Sequence, residues 1–237
     1  MNKISEIILL LKKEFPGKDP KPAKSDQLDV LIATMLSQNT TDKTSYRAFM
    51  NIKNDIGDWT AVLKAPLNKL KNAIRVCGLA EQKTGNIKSL LNTLRKEKGA
   101  LSLNYLKKLS DDDIYNDLLR YKGIGYKTIT CLLAFSLGRD VFPVDTHVHR
   151  LVNRLGITKA STADKTFEQV KDLIPKGKKF LLHTLLIRFG RKVCKAKNPL
   201  CGSCVLFDIC EYEDKEIRYS LSKKTPEENN FIILEHI

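Results

Sequence analysis

The sequence predicts an all-α protein with a C-terminal loop built around four cysteines. Three observations carry that expectation. Apolar residues recur at helical spacing along almost the whole chain. Alternating strand patterns of useful length are missing: only Phe231-Ile232-Ile233-Leu234 has strand character, and it reads equally as a loosely packed tail. Four of the six cysteines crowd between Cys194 and Cys210.

The elements follow in order. Ile4, Ile8, Leu11 and Phe15 make a first helical stripe, which stops before Pro16-Gly17. Pro20 to Ser25 is a crossing segment. Leu28, Leu31, Ile32, Met35 and Leu36 form a second stripe, and shorter helical patterns cover roughly 42–53, 57–64, 67–77 and 83–98. Ser110 followed by Asp113 has the form of a capping box, opening a helix with Ile114, Leu118 and Leu119 on its buried side. Lys122-Gly123-Ile124-Gly125 is a tight turn, and an apolar helix from about 126 to Leu137 follows, with Gly138 placed to end it. Segments at about 146–155, 163–173 and 178–189 lead into the cysteines.

Composition narrows the partner. The 237 residues are 42% hydrophobic, enough for one domain or two modest ones. Lys and Arg number 41 against 27 Asp and Glu, a formal net charge of +14 that favours an anionic partner over a small neutral metabolite. Ile8-Leu9-Leu10-Leu11 is followed at once by Lys12, Lys13 and Glu14, so a signal peptide is not expected. No stretch approaches the ~20 apolar residues of a membrane span. A soluble, intracellular chain is expected, and there the clustered cysteines read as a metal site, not as disulfides.

Two motifs carry chemistry. Helix, Gly123-Ile124-Gly125, helix is a helix–hairpin–helix pattern. Two glycines in a turn often mean only that the backbone bends sharply. Here, however, the turn also exposes backbone N–H groups beside a positive helix end, which suits a DNA phosphate and positions a duplex without reading its sequence. Lys127 lies in the first turn of the second helix. It is either a solvated surface lysine or a nucleophile, because a helix N-terminus disfavours a cation and a neutral amine can form a Schiff base. Asp145, in Phe142-Pro143-Val144-Asp145-Thr146-His147-Val148-His149-Arg150, is placed as an N-cap. A carboxylate held there also suits a cationic sugar transition state. His147 and His149 have no ligand set around them and read as structural or DNA-contacting. Finally, Cys194, Cys201, Cys204 and Cys210 have the spacing C-x6-C-x2-C-x5-C, which leaves iron–sulfur and zinc both open.

Lys122-Gly123-Ile124-Gly125-Tyr126-Lys127-Thr128, followed by Val144-Asp145-Thr146-His147-Val148-His149-Arg150, resembles the hairpin and catalytic loop of the endonuclease III branch of the helix–hairpin–helix DNA glycosylases. The likeness runs from about residue 25 to 213. It implies a two-lobed fold with a C-terminal [4Fe-4S] cluster held by the four cysteines, Lys127 as Schiff-base nucleophile and Asp145 as catalytic carboxylate. By the same resemblance Gln38 or Asn39 fills the gap of a flipped nucleotide, and Leu79 is the apolar wedge. Gly123, Gly125, Tyr126, His147, Arg150, Arg191, Lys195 and Lys197 are the remaining expected DNA contacts. Arg188 and Lys192 extend the same positive surface.

The implied lobes are 25–135, containing the hairpin, and 1–24 with 136–213, bearing the cluster; 214–237 is a tail. The implied activity is that of a bifunctional glycosylase and abasic-site lyase on oxidised or ring-saturated pyrimidines in double-stranded DNA, with the chain a cytoplasmic monomer. Three departures weaken transfer of that substrate: Asn39 stands where glutamine is common, Tyr121-Lys122 where Leu-Pro is, and Tyr126 where arginine is frequent. The rival expectations are a glycosylase for uracil or thymine mispaired with guanine or for another damaged base, a non-catalytic DNA-binding module, and an iron–sulfur electron carrier. The last has no partner-cofactor motif behind it.

Overall fold

The computed structural model describes residues 2–22 and 25–221; the Phe231 to Leu234 segment lies outside them. Among the described residues the regular structure is helical, without a β-strand. Of the described residues, 2–21 and 140–221 form one compact unit, and those within 22–139 form the other.

Helix α1 (Lys3–Glu14) opens the first unit. The Asn2 side chain accepts from the Ser5 N–H at 2.8 Å, closing one of the orphan donors of the first turn. Ile4, Ile7, Ile8 and Leu11 are its buried face. Phe15, expected in that stripe, is instead the C-cap and only half-buried.

The second unit is built around α2 (Gln27–Ser37). Asp26 caps it by accepting from the Leu28 and Asp29 N–H groups. The helix is buried on almost every face, which explains why its sequence is apolar beyond a single stripe. Around it lie α3 (Asp42–Asp55), α4 (Trp59–Lys64), α5 (Leu67–Ile74), α6 (Ala80–Lys98), α7 (Asp111–Leu118) and α8 (Tyr126–Phe135). Helices α3, α6 and α8 pack on α2, and α5 bridges α3 and α6. One polar knot pins this packing: the Asp29 carboxylate accepts from Lys53 Nζ at 2.7 Å and Trp59 Nε1 at 2.6 Å. The same ammonium lies 4.3 Å from the Trp59 ring centroid.

Several boundaries differ from the sequence pattern for identifiable reasons. The third turn of the 67–77 pattern tightens into a 3₁₀ turn, Arg75–Cys77, ended by Gly78 at φ 68°. Helix α6 then begins at Ala80, three residues ahead of the apolar periodicity, because its first turn is polar and exposed. At α7 the Ser110 hydroxyl accepts from the Asp113 N–H at 3.2 Å, but the Asp113 carboxylate takes the Ser110 hydroxyl proton at 2.6 Å. Aspartate is a methylene shorter than the glutamate of a full capping box, and here it engages the hydroxyl. Leu119 caps the end of α7 and is half-buried, so the buried face reduces to Ile114 and Leu118.

The first unit resumes with α9 (Thr146–Arg154), α10 (Ala163–Val170), α11 (Lys179–Lys192) and α12 (Lys215–Leu221). Helix α11 packs on α9 and α1, with Phe142 and Phe189 fully buried in the core. Lys3 and Glu211 pair at 2.6 Å. Helix α12 lies where the sequence pattern indicates only a tail, since seven residues are too few to show a helical period. None of the described helices is long and apolar enough to cross a membrane.

At Gly123, in the turn before α8, the backbone requires a glycine. Its φ is +84°, and a Cβ there would sit 2.3 Å from Asn86 Nδ2. Gly123→Ala is therefore expected to lower unfolding free energy by roughly 1–3 kcal/mol, from left-handed strain plus overpacking. Urea denaturation of the two proteins measures it; equal midpoints and slopes would refute the assignment.

Candidate active site and cluster loop

The hairpin is assembled within the second unit from three stretches of chain. The Ile124 N–H bonds back to the Tyr121 carbonyl at 3.1 Å and so closes the turn. Gly125 is the N-cap of α8 and, lacking a side chain, leaves the first N–H groups of that helix without a side-chain cap. They are the turn's free donors, as the glycine pattern implies. Lys127 is exposed in this first turn, one residue after Tyr126, which is 59% exposed. The Tyr126 ring lies 5.5 Å from that of Tyr115, whose hydroxyl meets Thr130 Oγ1 at 2.7 Å. In the Tyr121-Lys122 departure from the family pattern, Tyr121 is buried with Arg120 against it, and Lys122 is exposed.

Gln38 and Asn39, equivalent in the sequence, have different places. Gln38 is half-buried and its Nε2 donates to the Gly123 carbonyl at 3.0 Å and to Thr128 Oγ1 at 3.3 Å. It braces the turn. Asn39 is exposed at φ 55°, in the left-handed region. Leu79 has the same character: φ 50° and 52% exposure for a large apolar side chain immediately before α6.

In the first unit Asp145 is the N-cap of α9, its Oδ1 accepting from the Val148 N–H at 2.8 Å. The carboxylate is half-buried and fixed at a helix N-terminus. His149 Nδ1 lies 2.7 Å from Thr166 Oγ1, a packing role. His147 Nδ1 lies 3.2 Å from Arg150 Nη2. The Arg150 guanidinium, expected as a DNA contact, is turned inward: it donates to the Cys194 carbonyl at 2.9 Å and to the Gly190 carbonyl at 3.1 Å. Burial pulls it below the usual arginine pKa, and Cys194 partly opposes that shift. Its donors join α9 to the end of α11, and the residue is half-buried.

Sequence reasoning missed Arg154, one turn beyond Arg150 on α9. Its guanidinium donates to Cys194 Sγ at 3.3 Å, to the Lys195 carbonyl at 2.9 Å and to the Ala196 carbonyl at 3.1 Å, and stacks 4.2 Å from the Tyr212 ring centroid. The i, i+4 spacing of the two arginines was the available signal. Lys215 closes the other side by donating to the Cys210 carbonyl at 2.9 Å. Lys195 and Lys197 are exposed on the loop so formed, and Arg191 is half-buried at the end of α11.

Cys194, Cys201, Cys204 and Cys210 together line one apolar recess, with Leu151, Phe189 and Leu206 behind them. No three His, Cys, Asp or Glu side chains among the described residues close tightly enough to grip a single bare ion. A cluster several atoms across suits a recess with a thiol on each side. Burial pushes the Cys204 thiol up to about 12, with the neighbouring thiols adding to it, and raises Cys201 and Cys210 for the same first reason. Bound iron supplies the positive charge that makes such buried thiolates tenable. The four cysteines fit an iron–sulfur group.

Comparison with known proteins agrees with this geometry. Residues 32–176 match the model of the HhH-GPD superfamily base excision DNA repair proteins, and residues 194–210 match the iron–sulfur binding domain of endonuclease III. Endonuclease III of Sulfolobus acidocaldarius is 35% identical over 185 residues, covering 77% of this chain and 80% of its own. That of Thermotoga maritima is 31% identical over 209 residues, covering 88% and 92%. An Arabidopsis thaliana protein with a provisional DNA glycosylase name is 42% identical over 168 residues, and there the match spans 70% of this chain and 57% of the plant protein. Among solved structures, a non-covalent endonuclease III–DNA complex superposes with a TM-score of 0.77 at 26% identity, covering 92% of this chain and all of that one. The chain therefore belongs to the HhH-GPD superfamily of base excision DNA repair proteins and, within it, to the endonuclease III type of DNA glycosylase, with a [4Fe-4S] cluster in its C-terminal loop.

Proposed function

We propose that this protein is a bifunctional DNA glycosylase and abasic-site lyase that removes oxidised or ring-saturated pyrimidines from double-stranded DNA and acts as a monomer. The observation that carries the reading is Lys127, an exposed amine in the uncapped first turn of α8, directly after the phosphate-binding turn. Backbone N–H groups of Gly125 and the uncapped first turn of α8 hold the strand, and exposed Lys195 and Lys197, with Arg191 beside them, add positive charge to the footprint. Asn39 is the amide we assign to the orphaned base, since the Gln38 amide is engaged by the turn.

In the chemical step the Lys127 nitrogen bonds to the sugar C1′ while the C1′–N bond breaks, and the base leaves with that electron pair and takes up a proton. The Asp145 carboxylate offsets the positive charge that builds on the sugar. Opening of the C1′–O4′ bond gives the imine, which acidifies C2′–H. Loss of that proton and cleavage of C3′–O3′ release the 3′ strand. The cluster loop takes no part in these bond changes; its arginine-braced backbone presents the basic residues.

A second reading, a glycosylase for uracil or thymine opposite guanine, is favoured by the exposed aromatic Tyr126 where an arginine is frequent. Single-turnover release from duplexes carrying thymine glycol, 5-hydroxycytosine, uracil opposite guanine or thymine opposite guanine separates the two. Faster release of either mispaired base than of both oxidised pyrimidines would give the second reading.

Borohydride should trap wild-type protein on abasic DNA. Lys127→Ala is expected to cut trapping and β-elimination by roughly 10²-fold or more, while undamaged-duplex binding stays near wild type. Wild-type trapping by that variant would move the nucleophile elsewhere, with Lys122 the first to test. Asp145→Asn keeps an oxygen for the Val148 N–H and hence the cap, yet base release should slow by about 10²–10³-fold; an unchanged rate would remove the carboxylate from the chemistry. Binding to undamaged duplex should weaken steeply as salt rises, because a phosphate-dominated contact releases counterions. A flat salt titration would rule out that mode.

A further inference from the structure

Lys83 is a buried cation that the chemistry above does not use. It lies one turn into α6 with 4% of its surface exposed. Its ammonium donates to the Leu36 carbonyl at 2.8 Å and the Cys77 carbonyl at 3.0 Å, and lies 3.6 Å from Cys77 Sγ. These partners are two backbone carbonyls and a thiol, none of them a carboxylate. Burying an ammonium is unfavourable unless its donors are met, and burial does pull this lysine below its usual pKa. A leucine or methionine would fill the same space without that cost.

The two carbonyls say what the charge secures. Leu36 belongs to the last turn of α2, where carbonyls lack helical partners and a cation is favoured by the helix dipole. Three residues further on is Asn39. Cys77 ends the 3₁₀ turn, and two residues further on is Leu79. Among the described residues only three non-glycine positions have positive φ: Asn39, Leu79 and Asn198. Two of the three hang from the backbone that this one ammonium grips. Left-handed backbone at an exposed leucine and an exposed asparagine persists only where the surroundings over-determine it.

We propose that Lys83 is a positioning residue that ties the end of α2 to the turn before α6, and thereby fixes Asn39 and Leu79 at the spacing at which both enter a duplex. The inference rests on the reading of those two side chains as the intruding pair. Without the ammonium each loop relaxes separately, and the pair no longer arrives as a unit.

The test is a double-mutant comparison of site preference, taken as affinity for a duplex with a tetrahydrofuran abasic analogue divided by affinity for the undamaged duplex. Lys83→Met should lower that ratio roughly fivefold in the wild-type background and leave it unaltered in the Asn39→Ala/Leu79→Ala background, the non-additivity of groups acting as one device. Circular dichroism and thermal unfolding establish that each variant is folded. An unchanged ratio in Lys83→Met, or an equal loss in both backgrounds, overturns the proposal. If Asn39→Ala/Leu79→Ala alone keeps the wild-type ratio, the intruding-pair reading fails and this inference falls with it, which separates the two failures. Should Lys83→Met not fold, Lys83→Gln, which keeps a single amide donor group, replaces it under the same criteria. Failure of both to fold would make the lysine a requirement of the core and also overturn the assignment.

Discussion

The hairpin depends on how a sharp turn keeps its inner carbonyl paired while its outer N–H groups stay free. Gly123 turns through a left-handed conformation against Asn86 of α6, and its carbonyl is taken by the Gln38 amide from the end of α2. That single donor lets the turn present its N–H groups outward, since a buried carbonyl without a partner would cost about 1–3 kcal/mol and pull the turn toward another conformation. Helices α2, α6 and α8 thus have a common fixed point. The packing of α8 on α2 and of α6 on α2 follows the same geometry, so the position of Lys127 is set by the core and not by the loop alone.

The cluster unit solves a related problem with charge. A loop with four cysteines has too little apolar surface to fold on itself, and its carbonyls need donors. Arg150 and Arg154, on one face of α9, provide them at Cys194, Lys195 and Ala196, and Lys215 does so at Cys210. Guanidinium groups suit this because several fixed donors serve several carbonyls at once. Arg154 also reaches Cys194 Sγ itself, at 3.3 Å. Asp145 opens the same helix that carries both arginines, so one element holds the carboxylate at its start and the cluster loop near its end.

Helices α1 to α11 were legible in the sequence to within a few residues, because each buries a face whose 3.6-residue period survives in the order of amino acids. The misses have physical reasons. Helix α12 is seven residues long, too short to show a period. The start of α6 is polar and held by what precedes it. The hairpin, Lys127, Asp145 and the cysteines were legible because each is a short run whose chemistry depends on spacing along the chain. The Arg154 contacts and the Lys83 contact to Leu36 were not, since those carbonyl partners lie 41 to 47 residues away and every residue has a backbone carbonyl.

The same division separates Gln38 from Asn39. As neighbours with the same functional group, nothing in their order says which one faces the turn and which faces outward. By itself the sequence determined an all-helical chain with a hairpin, a lysine, a carboxylate at a helix start and four clustered thiols, because those follow from local periodicity and local spacing. Only the tertiary structure decided that Gln38 braces the hairpin, that Arg150 turns inward, and that Lys83 joins two distant loop ends. Those outcomes depend on which backbone groups packing leaves unpaired, and that is fixed only when the helices meet.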